Sequence, residues 1–261
     1  MSSPKKKLTN NVKKLTEKYS LFVVYFINCI INPNYFTWLE GQLKCITKQI
    51  NKKIAILKEY TIYIIAIIEK NNQYKFMKKI KKLFPKILFK VEFYHQNEYE
   101  YRGINKVWEI GQMHKNRNDI ILYYHSKGVT RTKIYQGINH GKYNIILKDL
   151  DKIFKTFAEF SHIDKIGYSC SKFGWIWYNF WYARGSYINK VEKPIKTNRR
   201  HYYEDWLARK VKNINDIICD KERPRSFYKN TPKSCYCFHT NKNLPNIGYY
   251  YDPNRQIYLP I

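Results

Sequence analysis

Apolar residues in this chain fall into blocks of two alternating kinds. Tyr19–Ile31 and Thr61–Ile68 are nearly continuous β-branched and aromatic runs, the pattern of strands buried on both faces. Between them, after the break at Asn32-Pro33-Asn34, Tyr35–Gln49 places Phe36, Leu39, Leu43 and Ile46 at helical spacing. Tyr74–Phe84 predicts a lysine-faced amphipathic helix that ends near Pro85, and Ile87–Phe93 a third strand. A further helix over Gly103–Met113 carries its apolar face on Ile104, Val107, Trp108 and Ile110. Asp119–Tyr124 predicts a fourth strand that runs straight into His125-Ser126-Lys127-Gly128. This rhythm implies βαβ units, an α/β fold and a largely parallel sheet, in which ligands sit at the carboxyl ends of the strands.

Beyond Thr130 the texture changes. Tyr143–Phe160 is expected to be helical, Ile166–Tyr168 a short strand, and Phe173–Tyr187 an aromatic segment holding Trp175, Trp177, Trp181 and Tyr182. A helix is expected over Tyr203–Val211. From Arg223 onward the chain is rich in Pro, Asn and Tyr, which predicts a tail wrapped over the surface. The organisation expected is a basic extension (1–18), one α/β domain (19–222) and a C-terminal tail (223–261) packed on it.

Composition changes this picture in one respect. With 48 Lys+Arg against 20 Asp+Glu, the formal net charge is +28. Lys far outnumbers Arg and is spread along the chain, whereas bidentate phosphate reading favours Arg. The abundance of Lys, Ile, Asn and Tyr fits A/T-rich codons, so the charge predicts weak, salt-sensitive polyanion binding rather than a dedicated nucleic-acid binder. The six cysteines form no CxxC, which fits reduced thiols in a cytoplasmic protein, in a host cell or a virion if viral. The run Leu21–Ile31 follows lysines as a signal sequence would. It is too short to span a bilayer, contains Asn28 and reads as a core strand, so no membrane span is expected.

Four segments carry candidate chemistry. At the end of the fourth strand, His125, Ser126, Lys127 and Gly128 combine an imidazole, a hydroxyl, an ammonium and a glycine that lets the backbone approach a ligand. An ordinary strand-to-loop turn is the plainer account of the same residues. Asn179-Phe180-Trp181-Tyr182-Ala183-Arg184 offers rings that stack on sugars or bases and a guanidinium for phosphate, or simply core aromatics. Glu204 and Asp205 form an acidic pair, suited to a general base or to stabilising a helix start. Asn97-Glu98-Tyr99-Glu100-Tyr101 puts two carboxylates before a helix, where Glu98 reads as a cap.

In this order the four segments resemble a family of glycosyltransferases found in giant DNA viruses and some bacteria, similar to the GT-A fold. The resemblance spans roughly residues 20–210, and a giant-virus genome would account for the A/T-rich composition. It implies transfer of a sugar from a UDP- or GDP-linked donor to a hydroxyl on a glycan or glycoprotein acceptor. It places Tyr25, Asn28 and the loop after Ile68 near the base and ribose. His125, Ser126, Lys127, Gly128 and Arg184 then stand at the donor diphosphate, and Asn179, Trp181, Tyr182 and His201 at the sugar or acceptor groove. Asp205, with Glu204 close behind, is the implied base. Such enzymes usually carry an Asp-x-Asp metal motif after the fourth strand; His125-Ser126-Lys127 stands at that place here. That substitution favours weak or absent dependence on manganese or magnesium, with His125 and His239 the remaining candidate ligands. A nucleic-acid-binding protein and a catalytically degenerate fold kept for interactions are the alternatives.

Overall fold

The computed structural model describes residues 18–31, 35–126, 147, 150–160, 163–167, 175–176, 179–209, 235–238, 248–252 and 257–260. Four strands make the parallel half of its sheet: β1 (Tyr19–Asn28), β2 (Leu57–Ile67), β3 (Phe89–Tyr94) and β4 (Asp119–His125). Between them run α1 (Tyr35–Lys53), α2 (Gln73–Leu83) and α3 (Tyr101–Met113). The remaining helices are α4 (Leu150–Glu159), α5 (Gly185–Ile188) and α6 (Arg200–Asp205). The sheet continues through β5 (Lys165–Gly167), β6 (Trp181–Arg184), β7 (Cys235–Phe238), β8 (Gly248–Asp252) and β9 (Ile257–Pro260).

The spatial order is β3-β2-β1-β4-β6-β5-β7-β8-β9. Of the first six strands, only β6 runs against the rest. After β3 the chain crosses β2 and β1 to place β4, so the order reverses between β1 and β4, where crevices form in open α/β sheets. The predicted strands and helices of residues 19–125 are present with shifted ends: β2 starts at Leu57 rather than Thr61.

β1 is buried throughout, and its alternation sorts side chains into two cores. Leu21, Val23, Tyr25 and Ile27 pack with α1, α2 and α4, whereas Phe22, Val24 and Phe26 pack with α3, α5 and α6. The layers are therefore helix, sheet, helix. Two expectations need correction. The helix predicted over Tyr203–Val211 runs from Arg200 to Asp205 and passes into a tight turn at Trp206–Ala208, with Tyr202, Tyr203, Trp206 and Leu207 in one core. The tail does not simply wrap the surface: β7 pairs in parallel with β5, and β8 and β9 extend that edge antiparallel.

Candidate active site

Strand alternation puts Tyr123 and His125 on the same face of β4, with their rings nearly parallel at 6.3 Å. The His125 ring also stacks on Phe180 at 5.1 Å, and the Ser126 amide donates to the Phe26 carbonyl (3.1 Å), tying the ends of β4 and β1 together. Glu100 precedes the first turn of α3, its carbonyl accepting from the Ile104 amide. Its side chain reaches across to β4. The Tyr123 hydroxyl donates to Glu100 Oε2 at 3.2 Å and Asn179 Nδ2 donates to the same oxygen at 2.7 Å. Glu100 Oε1 lies 3.6 Å from His125 Nδ1. The carboxyl group is thus oriented by two donors and faces an imidazole, with 17% of its side chain exposed. Burial, then the Glu100 charge and hydrogen bond, push the Tyr123 hydroxyl well above its ordinary range, so it remains a donor.

Asn179 completes the group at a cost in backbone strain. It sits in the left-handed region (φ 54°), one of the few residue types that tolerates this, and is only 1% exposed. Its amide nitrogen also donates to the Tyr203 carbonyl at 3.1 Å, which ties Glu100 at the start of α3, and through Glu100 the Tyr123 of β4, to α6. Next to this group, Glu98 is buried and ion-paired with Arg102 (2.6 Å) and Lys196. Burial opposes ionisation of Glu98, but hydrogen bonds and charges from Lys196 and Arg102 outweigh it and hold the carboxyl below its usual range. Glu98 therefore ties the segment before α6 to the start of α3.

On the opposite face of the same sheet end lies a cavity of about 370 Å³, at the carboxyl ends of β1 and β2. Tyr35, Phe36 and Phe76 supply ring surface, Lys75 and Lys79 supply charge, and Glu69, Asn72 and Cys29 complete its polar lining. Lys79 Nζ sits 3.8 Å from the centre of the Phe36 ring. Burial pushes the Cys29 thiol far up, so it is not a thiolate nucleophile; burial and the neighbouring Cys29 raise the Tyr35 hydroxyl to about 12.

The residues singled out from sequence separate into distinct environments. His125 and Asn179 belong to the Glu100 group, and Ser126 adjoins it. Lys127, Gly128 and His239 lie outside the described residues. Arg184 is a correction: it pairs with Ile120 near the start of β4, at the other end of the sheet from His125. Its guanidinium donates to the carbonyls of Ile163 (2.7 Å), Arg117 (2.8 Å) and Phe157 (2.7 Å), which makes it a clasp between chain segments rather than a phosphate ligand. Trp181 and Tyr182 are also corrected. Both are fully buried, on opposite faces of an interior strand, and line no groove. Asp205 is 3% exposed and accepts from Arg209 Nε at 2.7 Å; Glu204 lies 3.1 Å from the exposed His201. Tyr25 packs on Tyr124 within the core, and Asn28 Oδ1 accepts from the Ile30 amide (3.2 Å).

Glu100 is the residue that sequence reasoning passed over. The available signal was two scarce carboxylates just before a helix that follows a strand of a parallel sheet, but nothing local separates a cap from a carboxylate aimed at β4. Among the described residues no group of three or more His, Cys, Asp or Glu side chains could hold a metal ion. His125 and Glu100 together offer one carboxylate, short of the oxygen-rich set that magnesium or manganese takes. Neither a known family model nor a curated protein matches the chain.

Proposed function

We propose that this protein is a glycosyltransferase of the GT-A kind, moving a sugar from a nucleoside-diphosphate donor to a hydroxyl acceptor. One observation carries the reading. A ring- and lysine-lined cavity past β1 and β2 and an oriented carboxylate beside the end of β4 stand on the two faces of one carboxyl end of the parallel sheet. Ring surface suits a nucleobase and lysines suit a diphosphate. The resemblance of the His125-Ser126-Lys127-Gly128 and Asn179–Arg184 segments to viral and bacterial glycosyltransferases supports the same reading.

In this scheme Glu100 takes the role first expected of Asp205. Its carboxylate accepts the acceptor hydroxyl's proton as that oxygen attacks the anomeric carbon and the bond from that carbon to the diphosphate oxygen breaks, the nucleoside diphosphate leaving with the electron pair; the base contributes roughly 10²–10⁴-fold. Tyr123 and Asn179 hold the carboxylate in place, and the His125 imidazole stands beside it. Asp205, already in a buried ion pair, keeps the turn after α6 folded.

The test is thermal shift against a panel of UDP- and GDP-sugars at moderate salt, with EDTA or manganese. A donor at about 100 times its dissociation constant should add about 2.7 kcal/mol of stability. One nucleotide sugar should shift the protein more than inorganic pyrophosphate or other anions of equal charge. Equal shifts from every polyanion, all abolished by salt, would sink the proposal and leave a basic surface.

A further inference from the structure

We infer that the outer face of α2 is a docking surface for an anionic lipid bilayer. The helix reads Gln-Tyr-Lys-Phe-Met-Lys-Lys-Ile-Lys-Lys-Leu and contains no acidic residue. Phe76 and Ile80 turn inward and are buried against the sheet, so the apolar side of the helix is already used. At 100° per residue, Tyr74, Lys78 and Lys81 line up along the opposite side, with Lys75 and Lys82 beside them. All five side chains are exposed. Two large apolar groups bracket the lysines without partners in either core: Tyr74 is 78% exposed, and Leu88, just past the helix, is 85% exposed.

That combination selects the partner. Lysines gathered on one face of a helix that carries no acid of its own, with Glu69 lying at the cavity beside Lys75, are attracted to a negatively charged leaflet, and each contributes roughly a factor of five to partitioning. A tyrosine finds its preferred place at the headgroup level, where a ring is half wet. An exposed leucine gains from reaching the acyl boundary and gains nothing from a phosphate backbone. Nucleic-acid recognition would favour arginines for bidentate phosphate contact, and this stripe has none. No described helix is long and apolar enough to cross a membrane, so the contact is peripheral. Lys75 also lines the cavity, which places the bilayer beside it.

The experiment is sedimentation of the full chain with vesicles of phosphatidylcholine alone or mixed with phosphatidylserine. Binding is expected only with phosphatidylserine and should weaken as salt is raised. The triple change Lys78→Ala, Lys81→Ala, Lys82→Ala should lower partitioning about a hundredfold. Leu88→Ser should lower it several-fold while leaving nucleotide-sugar shifts unchanged. All positions are exposed, and a melting curve confirms that each variant is folded. Failure to bind phosphatidylserine vesicles overturns the inference. So does a DNA duplex that displaces the protein from vesicles at equal phosphate concentration while Leu88→Ser has no effect, since the face would then be a general polyanion surface. Neither result bears on the transferase reading.

Discussion

Three charged residues show how environment separates roles that residue type leaves open. Glu100 is partly exposed and oriented by donors, whereas Asp205 is buried against Arg209. Glu100→Gln is therefore expected to lower kcat by about 10²–10⁴-fold with little change in denaturation midpoint. Asp205→Asn should do the reverse, costing about 3–5 kcal/mol by stranding the Arg209 charge, with kcat per folded molecule retained. Measuring turnover and urea midpoint on both variants separates the two assignments; equal kcat losses at unchanged stability would reinstate Asp205. Arg184 belongs with Asp205. Removing its contacts to three carbonyls by Arg184→Met is expected to cost at least about 3 kcal/mol, read from the urea midpoint, and Arg184→Lys should recover only part.

At the scale of elements, close approach is what sets the site. A Cβ added at Gly103 on α3 would meet Phe26 Cβ at 2.8 Å and the Tyr123 hydroxyl at 2.9 Å. The missing side chain lets α3 lie against β1, and that contact brings Glu100 within reach of Tyr123. Gly103→Ala should cost about 1–3 kcal/mol and also reduce transfer, because the helix must lift. A Cβ at Gly185 would stand 1.9 Å from the His114 carbonyl oxygen, which is backbone and cannot yield. Gly185→Ala is expected to be the more damaging of the two in a thermal melt. The helices and strands of residues 19–125 were legible because their periodicities are strong and their ends are marked by Pro, Asn and Gly. The site was less so: Glu100, Tyr123 and Asn179 meet from three separate segments, and no periodicity in one segment reports on another.

For the whole molecule, pH links folding to a third carboxylate. Burial raises Glu192 to about 7 from an ordinary 4.5, against the opposing charge of Arg209. The folded chain holds this proton over an interval in which the unfolded chain has lost it. Stability should therefore fall as pH rises from about 4.5 to about 7, and level off above. Glu192→Gln should match the native protein near pH 4.5 and exceed it at pH 8 by about 1 kcal/mol, a value discounted for the partial exposure of the group. Urea midpoints across that range check it; an unchanged slope in the variant would assign the pH dependence elsewhere.

By itself the sequence determined the α/β class and the parallel beginning of the sheet. Each follows from short-range patterns, two-residue and 3.6-residue spacing broken by turn formers, that any window of the chain displays. The tertiary structure alone decided which polar residues meet at the end of β4 and which are spent inside the fold. Arg184 and His125 lie close to the same two strands, yet antiparallel pairing of β6 with β4 sends one to each end of the sheet. Trp181 and Tyr182 became core because β6 is an interior strand, and Glu100 became a candidate base because α3 crosses to the face that Tyr123 and His125 share. Strand order, direction and helix side are properties of pairing between distant segments, and only the folded chain sets them.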